Sequence, residues 1–256
     1  MTGSSPVELG ALVSYLNAYL RVSEVPDAPH ALNGLQLANA GTVSRMAAAV
    51  DLCRATVNMA AEQRADLLLV HHGMFWGGLR PLTGRDYHRV AALMSRNIAV
   101  YSAHLPLDLH PEVGNNAVLA RQLGVSTRGP FGEEYGIPIG VWGEIDVSRV
   151  ALERRLSELL GIAPRVLPFG PERARRVGIV TGAAGSMIAQ AAAAGLDSFV
   201  TGEGPHHTFF DAEELGLNVF YAGHYATETV GVKALAEHLS VRFHLPWAFL
   251  DHPTGL

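Results

Sequence analysis

Residues Asp66–Gly73 read DLLLVHHG. The apolar run Leu67–Val70, entered from an aspartate and left through two histidines and a glycine, fits a buried strand over Asp66–Val70. Outward from it, Arg45–Leu52 (RMAAAVDL) fits another buried strand, and Ala55–Arg64 the helix that joins the two. On the other side, Tyr87–Arg96 reads as a helix, Ala99–Ala103 as a strand and Asn115–Leu123 as a helix. Val7–Arg21 (VELGALVSYLNAYLR) adds a helical period at the start. Strands alternating with helices predict α/β layers around a largely parallel sheet.

The second half follows the same rhythm. Arg176–Thr181, Asp197–Val200 and Val219–Tyr221 read as strands, and Ser186–Ala194, Thr208–Leu215 and Glu228–Leu239 as helices. Between the halves, Ile137–Val147, Ser148–Leu160 and Arg165–Leu167 read as a strand, a helix and a short strand, at the periphery or as a bridge. Two details repeat as well. Ala65–Asp66 precedes one strand and Leu196–Asp197 its counterpart; the next strands end in YSAH followed by Asp108 and YAGH followed by Glu228. Both endings are Y-x-x-H-x-x-x-[DE], which predicts a duplicated α/β unit. The expected division is 1–125 for the first half, 126–175 for a connecting segment and 176–256 for the second half.

At 256 residues the chain suits one large or two small domains, at roughly 100–200 residues each. With 48% hydrophobic and 17% charged residues it can fill a core, which excludes wholesale disorder. Nineteen basic against twenty-four acidic residues, with no basic block, argue against nucleic acid as a partner. No apolar stretch approaches the roughly 20 residues of a membrane helix, and Met1–Pro6 lacks the features of a signal peptide. The expectation is a cytoplasmic protein with no membrane contact. The chain also lacks the G-x-S-x-G and G-x-x-x-x-G-K-[ST] patterns, so serine hydrolases and P-loop enzymes have no support.

Twelve histidines stand against a single cysteine, Cys53. Any metal must therefore be held by imidazole and carboxylate. Ligands of open α/β sheets gather beyond the carboxyl ends of the strands, and His71, His72, His104, Asp108, His224 and Glu228 all follow predicted strand ends. Six such donors exceed what one tetrahedral ion needs and suit two divalent ions sharing a water, at roughly 3.5–4 Å. Each element also has a plainer reading. His71 and His72 point to opposite faces if the strand continues, so both ligate only if the backbone turns, which Gly73 permits. Pro106 argues against a helix between His104 and Asp108, leaving Asp108 a turn or cap residue. His224 and Glu228 share a helix face if the helix starts early; otherwise Thr227 is its N-cap and His224 lies in the loop. Glu203, His206 and His207 follow the matching strand end and line the same cleft or not. Phe209, Phe210, Phe75 and Trp76 flank the histidine loops, as packing or as a surface for a ring. Cys53 reads as a small buried residue near a helix start, not a nucleophile.

The stretches NGLQL (33–37), LVHHGMFW (69–76), HLPLD (104–108), GNNAVL (114–119), TGE (201–203) and GHYATE (223–228) resemble the NIF3-like family, also called DUF34, which includes proteins labelled GTP cyclohydrolase 1 type 2 homologs. The resemblance implies a NIF3-like α/β fold: a duplicated unit with two similar halves around mixed sheets and a metal site in the cleft between them. It implies two divalent metal ions per chain (zinc, iron, manganese or similar) and assembly as a toroidal homo-hexamer. Carried over by motif, the metal ligands are His71, His72, Asp108, His224 and Glu228, with Glu228 bridging. His104 is then an outer or proton-transfer group, and Tyr225 stands where relatives carry a further histidine. The implied activity is hydrolysis of a nucleotide or related small molecule, with His104 and Glu203 as the catalytic proton carriers. The alternatives are a metal-handling or metal-insertion protein without turnover, and a regulatory scaffold.

Overall fold

Why the chain forms sheets of the predicted kind is visible in its first central strand. Met46–Val50 is buried at every position, as a parallel strand covered on both faces must be. The structure, a computed structural model, describes residues 5–78 and 80–255. Its elements fall into two compact units, Met1–Leu107 with Val232–His252, and Asp108–Gly231 with Pro253–Leu256.

The first unit runs β1 (Val7–Glu8), α1 (Leu9–Tyr19), β2 (Gly34–Leu37), β3 (Thr42–Val43), β4 (Met46–Asp51), α2 (Arg54–Glu62), β5 (Leu67–His72), α3 (Gly84–Ser95) and β6 (Ala99–Ser102). A single helical turn, α4 (Leu105–Asp108), follows. The second unit continues with α5 (Asn115–Leu123), β7 (Ser126–Glu134), β8 (Ile137–Ser148), α6 (Arg149–Leu160), β9 (Arg165–Pro168), β10 (Arg173–Ile179), α7 (Ile188–Ala193), β11 (Ser198–Thr201), α8 (Thr208–Leu215) and β12 (Asn218–Tyr221). Helix α9 (His224–Phe243) begins in the second unit, and β13 (Trp247–Phe249) lies in the first.

The first unit's main sheet has the order β13-β4-β5-β6-β2, with β13, β4, β5 and β6 parallel and β2 antiparallel. Val57 and Ala60 of α2 and Leu93 of α3 pack with Ala47, Ala49, Leu68, Val70 and Val100 into a core on one face. The second unit's sheet has the order β7-β8-β10-β11-β12-β9, in which β10, β11 and β12 are parallel and β9 is antiparallel to β12. A helix, an antiparallel edge strand and three parallel strands thus occur in the same order twice: α1, β2, β4, β5, β6 and α6, β9, β10, β11, β12.

The duplication reaches single hydrogen bonds. The Asp66 carboxylate accepts from the backbone N–H groups of Ser44 and Arg45, and that of Asp197 from those of Arg175 and Arg176. Each aspartate carbonyl accepts from the next strand, at Ala99 and Asn218. The segment 126–175 is not a connector. It supplies β7, β8, α6 and β9, half of the second sheet and the counterparts of α1 and β2. The two-residue turn Tyr135–Gly136, both with positive φ (50° and 76°), joins β7 to β8 as a tight hairpin, which the sequence reading missed in β7. Among the described residues no helix is long and apolar enough to cross a membrane.

Candidate metal centre

In the first unit, the carboxyl ends of β4, β5 and β6 bring three histidines together. The ligand atoms of His71, His72 and His104 all lie within 4.8 Å of one another. Their ring centroids are 4.8 to 5.7 Å apart. Strand β5 continues through both His71 and His72, so the expected backbone turn is not what aims them. Each is steered by a neighbouring strand. Fully buried His71 places Nδ1 2.8 Å from the Ala103 carbonyl at the end of β6. His72 places Nδ1 2.8 Å from Oδ1 of Asp51, its register partner at the end of β4.

His104 is steered from the loop after α1. Its Nδ1 lies 2.7 Å from Asp27 Oδ1, its backbone N–H donates to Asn33, and Asn33 and Ala28 donate to the Asp27 carboxylate. Burial works to raise the pKa of Asp27, but the bonds and charge of His104, with those of Asn33 and Ala28, overcome it and hold it below the usual carboxylate value. Asp27 is therefore an anion facing an imidazole. The group expected as an outer residue, His104, sits level with the histidine pair as a third potential ligand. Trp76 packs edge-on against His104 at 4.7 Å and against His72 at 5.6 Å, closing this cluster on an indole.

In the second unit, β12 is followed by Ala222 and Gly223, and His224 opens α9 directly, so the early-start reading of that helix holds. One turn on, Glu228 Oε1 lies 3.3 Å from His224 Nε2, and Glu203 Oε1 lies 2.7 Å from His224 Nδ1. Hydrogen bonding to Glu228 raises His224 to about 9, opposed by burial and helped by the charge of Glu228 and the bond to Glu203. The carboxylate that His224 meets there is only 4% exposed. Gly182 makes room for that carboxylate: it holds φ +72°, and a Cβ there would come within 2.4 Å of Glu228 Oε1. Asp108, 8% exposed, accepts from Asn115 Nδ2 at 2.8 Å and Thr181 Oγ1 at 3.4 Å. Asn115 also accepts from the Gly231 N–H, and Asn116 holds the Thr181 N–H and the Ile139 carbonyl, so a buried amide pair fixes the site of Asp108. Pro106 lies inside α4 after all, near its start, where a missing N–H costs nothing.

All four histidines share one arrangement. Each engages an acceptor through Nδ1, three of them carboxylates; a neutral ring so held turns its lone pair to Nε2, the atom that in His224 faces Glu228. Metal-binding histidines are oriented in this way. The donor set, imidazole with buried carboxylate and no thiolate, fits zinc, iron, manganese or similar ions. Asp27 and Asp51 were not legible as site residues. Asp51 carried one signal, an acidic residue ending an apolar strand beside the His72 strand; Asp27, 77 residues from its partner, carried none. His206 and His207 lie just before α8, with the His206 ring 5.7 Å from that of Phe210. Cys53 is half-buried rather than buried, because it is the N-cap residue of α2, where Thr56 Oγ1 accepts from its N–H.

The family described as Duf34/NIF3 (NGG1p interacting factor 3) matches residues 7–254. A protein of Deinococcus radiodurans named "GTP cyclohydrolase 1 type 2 homolog" is 44% identical over 100% of this chain and 97% of its own length. One of the same name from Halobacterium salinarum is 45% identical over 98% of this chain and all of its own. Among solved structures, the protein ybgI, titled as of unknown function, aligns with TM-score 0.91 at 36% identity, covering 98% of this chain and 100% of that one. TTHA1606 from Thermus thermophilus aligns with TM-score 0.88 at 44% identity over the same shares.

Proposed function

Because the chain belongs to the Duf34/NIF3 family, we propose that it carries a dinuclear divalent-metal centre that hydrolyses a nucleotide or related small molecule. The observation that carries this reading is the common orientation of His71, His72, His104 and His224 through Nδ1. His71, His72, His104, Asp108, His224 and Glu228 would hold the ions. When bound, a divalent pair lowers the pKa of water and neutralises charge developing on oxygen.

The chain's own residues do the rest. Asp51 and Asp27 keep His72 and His104 in one tautomer and add basicity to Nε2. Glu203, about half exposed, and His224 form a carboxylate–imidazole pair across which a proton can pass between Oε1 and Nδ1. Trp76 shields His72 and His104 from solvent, which strengthens electrostatic interactions there.

The deciding experiment is elemental analysis of protein purified without added metal, followed by turnover assays. GTP comes first because of the relatives' name, then a panel of nucleotides and phosphate esters. Two ions per chain and metal-dependent turnover, lost in His72→Ala and Glu228→Ala, are expected. Unchanged turnover in both variants would sink the assignment, and exchangeable ions with no turnover would move the protein to metal handling.

A further inference from the structure

The second unit holds a cavity of about 470 Å³, bordered by Glu203, that none of the metal chemistry uses. It is within the usual size range of small-molecule sites, roughly 300–1,000 Å³. Its walls divide by chemistry. Phe209 and Phe210, with rings 5.6 Å apart and nearly perpendicular, supply an aromatic wall at the start of α8. From the sheet, the cavity is lined by Arg165 of β9 and Tyr221 of β12, which are register partners. Cross-strand partners project from the same face, so the guanidinium and the phenol stand side by side.

The hydrogen bonding around Tyr221 fixes what it can offer. Thr208 Oγ1 donates its only proton to the Pro205 carbonyl at 2.6 Å. The 2.5 Å contact between Thr208 Oγ1 and the Tyr221 hydroxyl must therefore be donated by Tyr221. The Tyr221 oxygen is left only as an acceptor, as is the Glu203 carboxylate. Arg165, exposed and with no side-chain hydrogen bond or ion pair to a described residue, is the cavity's cationic donor. Gly204 lets the loop cross Tyr221 closely, since a Cβ there would meet the hydroxyl at 2.6 Å.

We propose that this cavity binds a planar, amino-substituted heteroaromatic ring carrying an anionic group. The ring lies against Phe209 and Phe210 and donates to Tyr221 or Glu203, and the anion pairs with Arg165. This deepens the hydrolase reading, on which its functional meaning rests, by naming the part of the substrate held beside the Glu203–His224 pair. Stacking and one charge-assisted contact are the recognised means of holding such a molecule without a phosphate loop.

The test uses adenosine 5′-monophosphate as probe and calorimetry at low salt, on full-length protein stripped with chelator so that bound metal does not capture the phosphate. Saturable binding is expected, about tenfold weaker in Arg165→Gln and partly restored in Arg165→Lys, with one lost charge-assisted bond setting the scale. Adenosine should bind the wild type and Arg165→Gln alike, which also shows that the variant is folded. No saturable binding to the wild type, or equal affinity for the monophosphate in Arg165→Gln, overturns the proposal. Metal uptake without nucleotide binding overturns this inference and leaves the metal centre; nucleotide binding lost in Arg165→Gln, in a protein that takes up no metal, supports the cavity and removes the hydrolase.

Discussion

Asp51 and His72 show what one residue decides. The carboxylate is 2.8 Å from Nδ1, and the two residues are register partners on adjacent parallel strands, so neither needs to move to hold the other. Asp51→Ala should fold normally yet bind metal about 10- to 100-fold more weakly, the usual cost of removing an orienting partner. Competition against a chelator of known affinity measures this, and unchanged affinity would mean that Asp51 does not orient a ligand. Gly182→Ala is the matching prediction in the second unit. Any side chain there must adopt φ +72° and displace Glu228, so stability should fall by roughly 1–3 kcal/mol and metal binding with it. Urea denaturation together with metal titration reads both. At this scale the candidate donors stood out in the sequence because they follow strand ends. Their orienting partners were not, since a hydrogen bond across 21 or 77 residues leaves no local pattern.

The elements carry the duplication. Asp66 accepts two N–H groups just before β4 and Asp197 two within β10, each strand the first of a parallel trio. Removing a charged acceptor from such a pair costs about 1–3 kcal/mol. Asp66→Ala and Asp197→Ala should therefore lose similar stability, and strongly unequal losses in denaturant titrations would deny them equivalent roles. Helix α6 gives a milder test. Ser148 accepts from the Ala151 N–H as N-cap, so Ser148→Ala should cost about 1 kcal/mol without touching metal binding. Apolar runs and helical periods placed Asn115–Leu123 and Thr208–Leu215 to the residue. The strands that escaped are of another kind. In β7, STRGPFGEE has no alternation because an exposed edge-strand surface makes no demand for it. The same physics explains Pro106 in α4, where a single turn leaves its first N–H groups without helical partners whatever the residue.

For the whole molecule, assembly is an expectation carried over from the motif resemblance alone. We propose a homo-hexamer, expected in light scattering as a particle of six times the 27.3 kDa chain mass; a monomer at micromolar concentration would refute it. Metal removal should leave both sheets intact, because their cores are formed by residues such as Ala47, Leu68, Val100, Phe199 and Val219 and not by the ligands. Circular dichroism before and after chelation checks this, and loss of strand signal would show the ions to be structural. The sequence by itself determined the α/β class, the two parallel strand trios and the imidazole–carboxylate chemistry, since strand length, burial and ligand type are written in local residue patterns. Tertiary structure alone decided that 126–175 completes a second sheet, that His104 stands with the histidine pair, and which carboxylate turns each ring. Those outcomes depend on strand order and register, which pair residues far apart in the chain, and local sequence does not encode distance in space.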